Sequence, residues 1–191
     1  MSPLAGRQEV GRKLLHLATG VLPATIAWAP APWSWRGPLL AFCVVLGLDI
    51  ARLLHPGVRR WAARLVGGAL KPGEHDGFIS VHYLTGAAAL LSFCLPPALA
   101  ATAVAHGVFG DAAAALVGRR WGRHRLGRKS LEGSVACLLS CLLVGWMLLP
   151  ERPGAFLVAA IVSTVIEVLP LPVDDNWSVP LASGAILAWL A

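Results

Sequence analysis

Apolar stretches close to the length of a bilayer crossing follow one another down this sequence of 191 residues, with only short polar connections between them. A helix needs about 20 apolar residues to cross the hydrocarbon, so a chain of this length holding several such stretches leaves no room for a soluble domain of ordinary size. Lipid offers no hydrogen bonds to an open backbone, and helices satisfy their own. The expected fold is therefore all-α: one polytopic integral membrane bundle filling residues 1–191. Composition agrees, with 57% hydrophobic residues, 14% charged and a mean hydropathy of +0.68.

Spans are expected at about 14–31, 38–55, 78–95, 97–118, 131–149, 154–170 and 177–190. That makes seven; Pro96-Pro97 forces a tight hairpin between the third and fourth, and six crossings with one partial helix is the alternative count. Arg12 and Lys13 ahead of the first apolar run imitate a signal peptide, but His16 and Pro23 interrupt the run and Pro30 follows the would-be cleavage site, so a retained first helix is expected. Residues 57–70 alternate Arg59, Arg60 and Arg64 with Trp61, Leu65 and Val66, a pattern for a short helix lying in the membrane interface. Trp28, Trp33, Trp35, Trp61, Trp121, Trp177 and Trp189 near span ends fit an interfacial belt. Cys43, Cys94, Cys137 and Cys141 all fall inside apolar runs without metal-site spacing, which reads as small buried side chains and implies no disulfide framework.

The net charge of +6 would suggest nucleic acid in a soluble protein. Here the basic residues sit between spans, where lipid headgroups or a polyphosphate are the better partners and no nucleic acid is expected. They also alternate: Arg7, Arg12 and Lys13 precede span one, Arg59, Arg60, Arg64 and Lys71 follow span two, and six Arg or Lys fall within 119–129, whereas the intervening loops carry only Arg36 and Arg152. The positive-inside rule then puts the basic loops and the turn Asp174-Asp175-Asn176 in the cytoplasm. His16, Asp49, Arg52, Asp111 and Glu167 all lie toward the cytoplasmic ends of their spans, so nearly all the polar chemistry is expected at one membrane face.

Asp111 stands deep in span four, where an ionised group costs roughly 2.5 to 3.5 kcal/mol and calls for a cation or a wet cavity. Gly107, Gly110, Ala114 and Gly118 recur around it at the spacing that lets neighbouring helices approach closely. A packing pair with an arginine is the plainer account of the same residue. Behind Asp111 comes the basic loop with His124, and then Ser130 and Glu132 at the start of a new helix. A helix N-terminus behind a cationic, glycine-containing loop suits phosphates; equally, Ser130 is a cap, Glu132 answers the helix dipole, and topology alone demands basic loops. Gly122 to Ser130 approaches the P-loop pattern but carries an extra arginine before the lysine and follows no strand. No HExxH and no nucleophile elbow occurs. Arg12, Lys13 and His16 share a helical face that suits a phosphate or an alcohol proton, or else snorkelling cations with a satisfied histidine. Asp174, Asp175 and Asn176 supply adjacent oxygens of the kind Mg²⁺ takes with substrate phosphates, or a helix cap. Asp49 with Arg52 reads as a structural ion pair. His82, His106 and the segment Glu74-His75-Asp76 receive no role.

Taken together, Arg12-Lys13-Leu14-Leu15-His16, Gly110-Asp111 with Ala114 and Gly118-Arg119, the run from Gly122 through Lys129-Ser130-Leu131-Glu132-Gly133-Ser134, and Glu167 followed by Asp174-Asp175-Asn176 and Pro180 resemble the CTP-dependent polyprenol kinase group. That group includes dolichol kinase, phytol kinase and a CTP-dependent diacylglycerol kinase. The matches run along almost the whole chain. The middle block is shared in outline with phosphatidate cytidylyltransferases, but their longer carboxyl-terminal signature is replaced here by the short turn at Asp174, which favours the kinases. This chain is also much shorter than dolichol kinase.

The resemblance implies transfer of the γ-phosphoryl group of CTP to the hydroxyl of a membrane lipid alcohol such as a polyprenol, phytol or diacylglycerol. It places Mg²⁺ at Asp111, Asp174, Asp175 and Asn176, and phosphate oxygens at Arg12, Gly110, Arg119, Arg123, Arg128, Lys129 and Ser130. Lys13, His16 and Glu132 join Asp111 as the catalytic set. A CDP-lipid synthase is the enzymatic alternative, and a transporter or non-catalytic membrane protein the alternative of another class. Thirteen arginines against three lysines suggest a GC-rich genome and hence a bacterial plasma membrane, with the site on its cytoplasmic side.

Overall fold

The computed structural model describes residues 16–66, 70, 74, 76–127 and 129–190. Helices run over Val21–Trp28 (α1), Trp33–Leu54 (α2), Pro56–Val66 (α3), Ser80–Cys94 (α4), Pro97–Ala105 (α5), Asp111–Trp121 (α6), Leu131–Leu148 (α7), Pro153–Val168 (α8) and Asp175–Leu190 (α9). A π-helical turn, His106–Gly110, joins α5 to α6 end to end. The only strands among the described residues are the two-residue β1 (Arg125–Leu126) and β2 (Lys129–Ser130).

Prolines write most of the helix ends. Helices α1, α2, α4, α7 and α8 stop at Ala29, His55, Leu95, Leu149 and Leu169, and each of these residues precedes a proline. The ring of the following proline disfavours the helical conformation at that position. Pro97 and Pro153 then open α5 and α8, where a missing N–H has no helical partner to lose.

Each expected span contains a helix. Among the described residues, Trp33–Leu54, the continuous Pro97–Trp121 and Leu131–Leu148 are long and apolar enough to cross a membrane, while Ser80–Cys94 and Pro153–Val168 are apolar but shorter. Seven full crossings therefore go beyond what helix length supports. The first span also differs from expectation, because a turn at Thr19-Gly20 separates the helical residues 16–18 from α1. Pro23 cannot donate to the Thr19 carbonyl, which instead accepts the tighter bond from Leu22 N–H at 2.9 Å.

The centre of the bundle is Pro97–Trp121, two thirds buried where Trp33–Leu54 is less than one fifth buried. Its N-terminal half is nearly all small side chains, with Ala100, Ala101, Ala103 and Val104 fully enclosed. Such residues let backbones approach and replace the hydrophobic driving force that lipid removes between helices. Helices α1, α4 and α9 pack around α5, and α7 lies along α6 with α8 and α9 beyond it. The expected glycine stripe works against two neighbours. A Cβ on Gly107 would meet Pro180 of α9 at 2.6 Å, one on Gly110 the Cys137 and Cys141 sulfurs of α7 at 3.1 and 3.0 Å, and one on Gly118 the Ser130 hydroxyl at 2.8 Å.

Candidate active site

The basic loop is a small antiparallel hairpin in which Arg125 faces Ser130 and Leu126 faces Lys129. Gly127 supplies the positive φ of 59° that its two-residue turn requires. The sequence pattern led to a loop here, since basic residues carry no strand signal. Glu132 closes the hairpin base: its Oε1 lies 2.8 Å from His124 Nδ1 and accepts the His124 backbone N–H at 3.1 Å. Ser130 is the cap of α7, its Oγ accepting Gly133 N–H at 3.2 Å. Gly118, Gly122 and Gly133 close around that hydroxyl, so it is committed to the helix terminus and buried.

The hairpin delivers Lys129 to the ends of two other helices. Its ammonium lies 2.7 Å from Glu167 Oε1 and 3.1 Å from Asp175 Oδ2, and also donates to the Glu167 carbonyl. Burial pulls the ammonium toward neutrality, but Glu167 and Asp175 outweigh it and lift the Lys129 pKa above the ordinary lysine value. Lys129 is therefore a cation throughout the neutral range. Glu167 sits one residue from the end of α8 and is buried, and its second oxygen, Oε2, has no hydrogen-bond partner among the described residues.

Asp111 is the first residue after the π turn and is half-buried, with Oδ2 3.5 Å from His16 Nε2. The approach of α1 explains this pairing: a Cβ on Gly20 would lie 3.0 Å from the Phe109 ring, so the turn before α1 rests against the π turn and brings His16 alongside. Glu167 lies within electrostatic range of both Asp111 and Asp175. The acids expected to share a site thus gather at one end of the bundle, with Lys129 among them.

The acidic turn divides its tasks. Asp174 Oδ1 accepts from the backbone and side-chain N–H of Asn176 at 3.0 and 2.8 Å, and the Asp174 carbonyl accepts from Trp177 and Ser178. Asp174 and Asn176 therefore form the cap of α9, while Asp175 turns to Lys129. Among the described residues no three His, Cys, Asp or Glu side chains come together as a ligand group for a metal ion. Of the expected set, Asp174 and Asn176 are engaged in the cap and Asp175 with Lys129. Arg119 and Arg123 are exposed at the end of α6 and just beyond it, and Gly110 packs on α7. Arg12, Lys13 and Arg128 lie outside the described residues.

Three further groups support the site. Asp49 and Arg52 pair in the interior at 2.6 Å, as their spacing suggested; Arg52 donates to the Glu74 and Gly77 carbonyls at 3.0 and 2.6 Å, and Asp49 accepts Ile79 N–H at 3.0 Å. Glu74, given no role by sequence, accepts from Ser80 N–H at 2.8 Å and from its hydroxyl, and Ser80 Oγ lies 3.3 Å from Asp174 Oδ2. Thus α2 braces the segment that braces the acidic turn. His106, also unassigned from sequence, is fully buried at the start of the π turn. Its Nε2 meets the Cys141 carbonyl at 3.0 Å, which can only accept, so Nε2 carries the proton and Nδ1 accepts from Ser183 at 2.9 Å and Ser163 at 3.3 Å. One ring fixes α7, α8 and α9 to the turn that sets Asp111. Glu167 is the residue whose part the sequence understated; its signal was an acid at the end of an apolar run.

No family model matches the chain, and no solved structure matches it closely enough to count. Two characterised proteins do. A phytol kinase of Synechocystis is 29% identical over 95% of this chain and 78% of its own length. A CTP-dependent diacylglycerol kinase of Schizosaccharomyces pombe is 24% identical over 95% of this chain and 93% of its own. Both alignments cover almost the whole chain, and together they support a CTP-dependent lipid kinase family as the kin of this chain.

Proposed function

We propose that this protein transfers the γ-phosphoryl group of CTP to the hydroxyl of a membrane lipid alcohol. The observation that carries the reading is the convergence of Lys129, Glu167 and Asp175, with Asp111 and His16 in range, at one end of a membrane bundle. Phosphoryl transfer depends on positioning and charge neutralisation more than on covalent chemistry by the protein. A nucleotide arrives from water and a lipid alcohol from the bilayer, so their reaction belongs at a helix end of this kind. The relatives, a phytol kinase and a CTP-dependent diacylglycerol kinase, support lipid kinase chemistry, with phytol and diacylglycerol as examples of acceptors and CTP as a donor.

In this reading the acceptor oxygen forms the new bond to γ-phosphorus, the bond to the β,γ-bridging oxygen breaks, and CDP leaves. His16, oriented by Asp111, takes the hydroxyl proton. Lys129 exchanges one carboxylate for a phosphate oxygen, and the exposed Arg119 and Arg123, at the end of α6 and just beyond it, add positive charge for the other phosphate oxygens. Mg²⁺ takes one or two carboxylates and fills its sphere with phosphates and water, so two of Asp111, Asp175 and the unpartnered Glu167 Oε2 would suffice to hold it. Bound there, it would neutralise phosphate charge. Asp174 and Asn176 serve by holding Asp175 in place.

The test is the fate of label from CTP carrying ³²P at the γ position, offered to the purified protein with Mg²⁺ and a panel of phytol, polyprenol, diacylglycerol and phosphatidate in lipid nanodiscs. A kinase places the label on lipid. Label in pyrophosphate with a CDP-lipid product identifies a cytidylyltransferase instead, and unconsumed CTP across the panel rejects both. The membrane of a bacterial cell, with the site facing the cytoplasm, is the location this reading assigns.

A further inference from the structure

Helix α3 has no part in the chemistry above, and its main packing partner is the end of α2. Val58, Trp61, Ala62 and Leu65 recur on one side at helical spacing, with Arg60 and Arg64 a turn apart on the other. Trp61 and Leu65 are 58% and 63% exposed, so among the described residues nothing covers these two side chains. An amphipathic face of this kind needs an occupant.

Its place in the chain says which. Only His55 separates α3 from α2, one of the helices long enough to cross the membrane. Exposed apolar side chains on α2, among them Val44, Leu48 and Leu54, run up to that junction. Helix α3 therefore begins where a membrane-crossing α2 would end, at the depth where headgroup phosphates would lie. Arg59 pairs with Asp76, in the segment whose Glu74 binds Ser80 beside Asp174. That ties α3 to the same end of the bundle as the candidate site.

We propose that α3 lies in the plane of the leaflet on the site's side, with Trp61 and Leu65 entering the acyl boundary and Arg60 and Arg64 binding the phosphates of anionic phospholipids. The helix then holds the reaction site at headgroup depth, where a lipid hydroxyl and a water-borne nucleotide can both reach it. This assignment does not rest on the identity of the reaction.

The experiment uses the full chain in nanodiscs of phosphatidylcholine with and without phosphatidylglycerol. Because the chain has eight tryptophans, the Trp61 signal is the difference between the unaltered protein and Trp61→Phe. Bromine-labelled acyl chains should quench that difference. Phosphatidylglycerol should remain bound in preference to phosphatidylcholine in native mass spectrometry, and Arg60→Gln/Arg64→Gln should weaken that preference at least about fivefold. Both side chains are exposed, so the melting temperature should hold, and Arg60→Lys/Arg64→Lys should keep the preference. A Trp61 signal that bromine leaves untouched, as under a second copy or another protein, overturns the proposal. So does a lipid preference indifferent to the glutamine pair, or one lost equally in the lysine pair.

Discussion

Lys129 and Glu167 meet with ammonium nitrogen and Oε1 2.7 Å apart although 38 residues separate them in the chain. The contact joins the hairpin before α7 to the end of α8, and the same ammonium reaches Asp175 at the start of α9. One cation therefore decides how three helix ends sit around the candidate site.

Replacing Lys129 by methionine leaves the buried Glu167 uncompensated and should lower stability by about 3 kcal/mol. Adding Glu167→Gln should recover much of that stability while leaving phosphoryl transfer at least about a hundredfold down. Thermal melts and turnover of the single and double variants together separate the structural from the chemical role. Recovery of both would show that the pair is structural only. The pH dependence has a definite sign: the folded-state pKa of Lys129 is raised, so its stabilisation is complete below the ordinary lysine pKa and disappears as pH rises through the higher folded value. Denaturant midpoints should show no loss from this pair until above about pH 10.

Asp111→Asn should keep the fold, because the carboxylate is only half-buried, and should cut turnover about 10² to 10⁴-fold. His16→Ala should fall in the same range, and the double variant should be little worse than either single one, since the two groups act as a unit. Additive losses would separate them.

Arg52→Met strands Asp49 inside the protein and frees the Glu74 and Gly77 carbonyls, so a destabilisation of about 3 to 5 kcal/mol is expected. Arg52→Lys should not rescue it, because one ammonium cannot reproduce the guanidinium fork that spans the three acceptors. Denaturation in detergent, followed by circular dichroism, measures both variants.

Two glycines give opposite expectations for the same change. A Cβ on Gly133 would lie 2.8 Å from the Ala114 carbonyl oxygen and 3.3 Å from the Gly118 Cα, so Gly133→Ala must push α6 and α7 apart and should cost about 1 to 3 kcal/mol. Gly47 on α2 has open space, and Gly47→Ala should stabilise by up to about 1 kcal/mol through helix propensity. Melting temperatures that moved the same way for both would contradict the close α6 to α7 contact.

Local features of the sequence determined a good deal of this protein. Each X-Pro step at Ala29, His55, Leu95, Leu149 and Leu169 ends a helix because the proline ring acts on its immediate neighbour. The i, i+3 pair Asp49 and Arg52, the cap at Ser130 and the amphipathic α3 are likewise contacts within one or two turns, where spacing alone fixes which groups meet. Tertiary structure decided the rest. That Lys129 goes to Glu167 and Asp175, that His16 reaches Asp111, that His106 binds Ser163 and Ser183, and that Asp174 caps a helix while Asp175 faces the site all depend on the order in which helices pack. Apolar helices in lipid look alike from every side until small residues such as Gly107, Gly110 and Gly133 let particular backbones close on one another, and no period along the chain records which partner each of them meets.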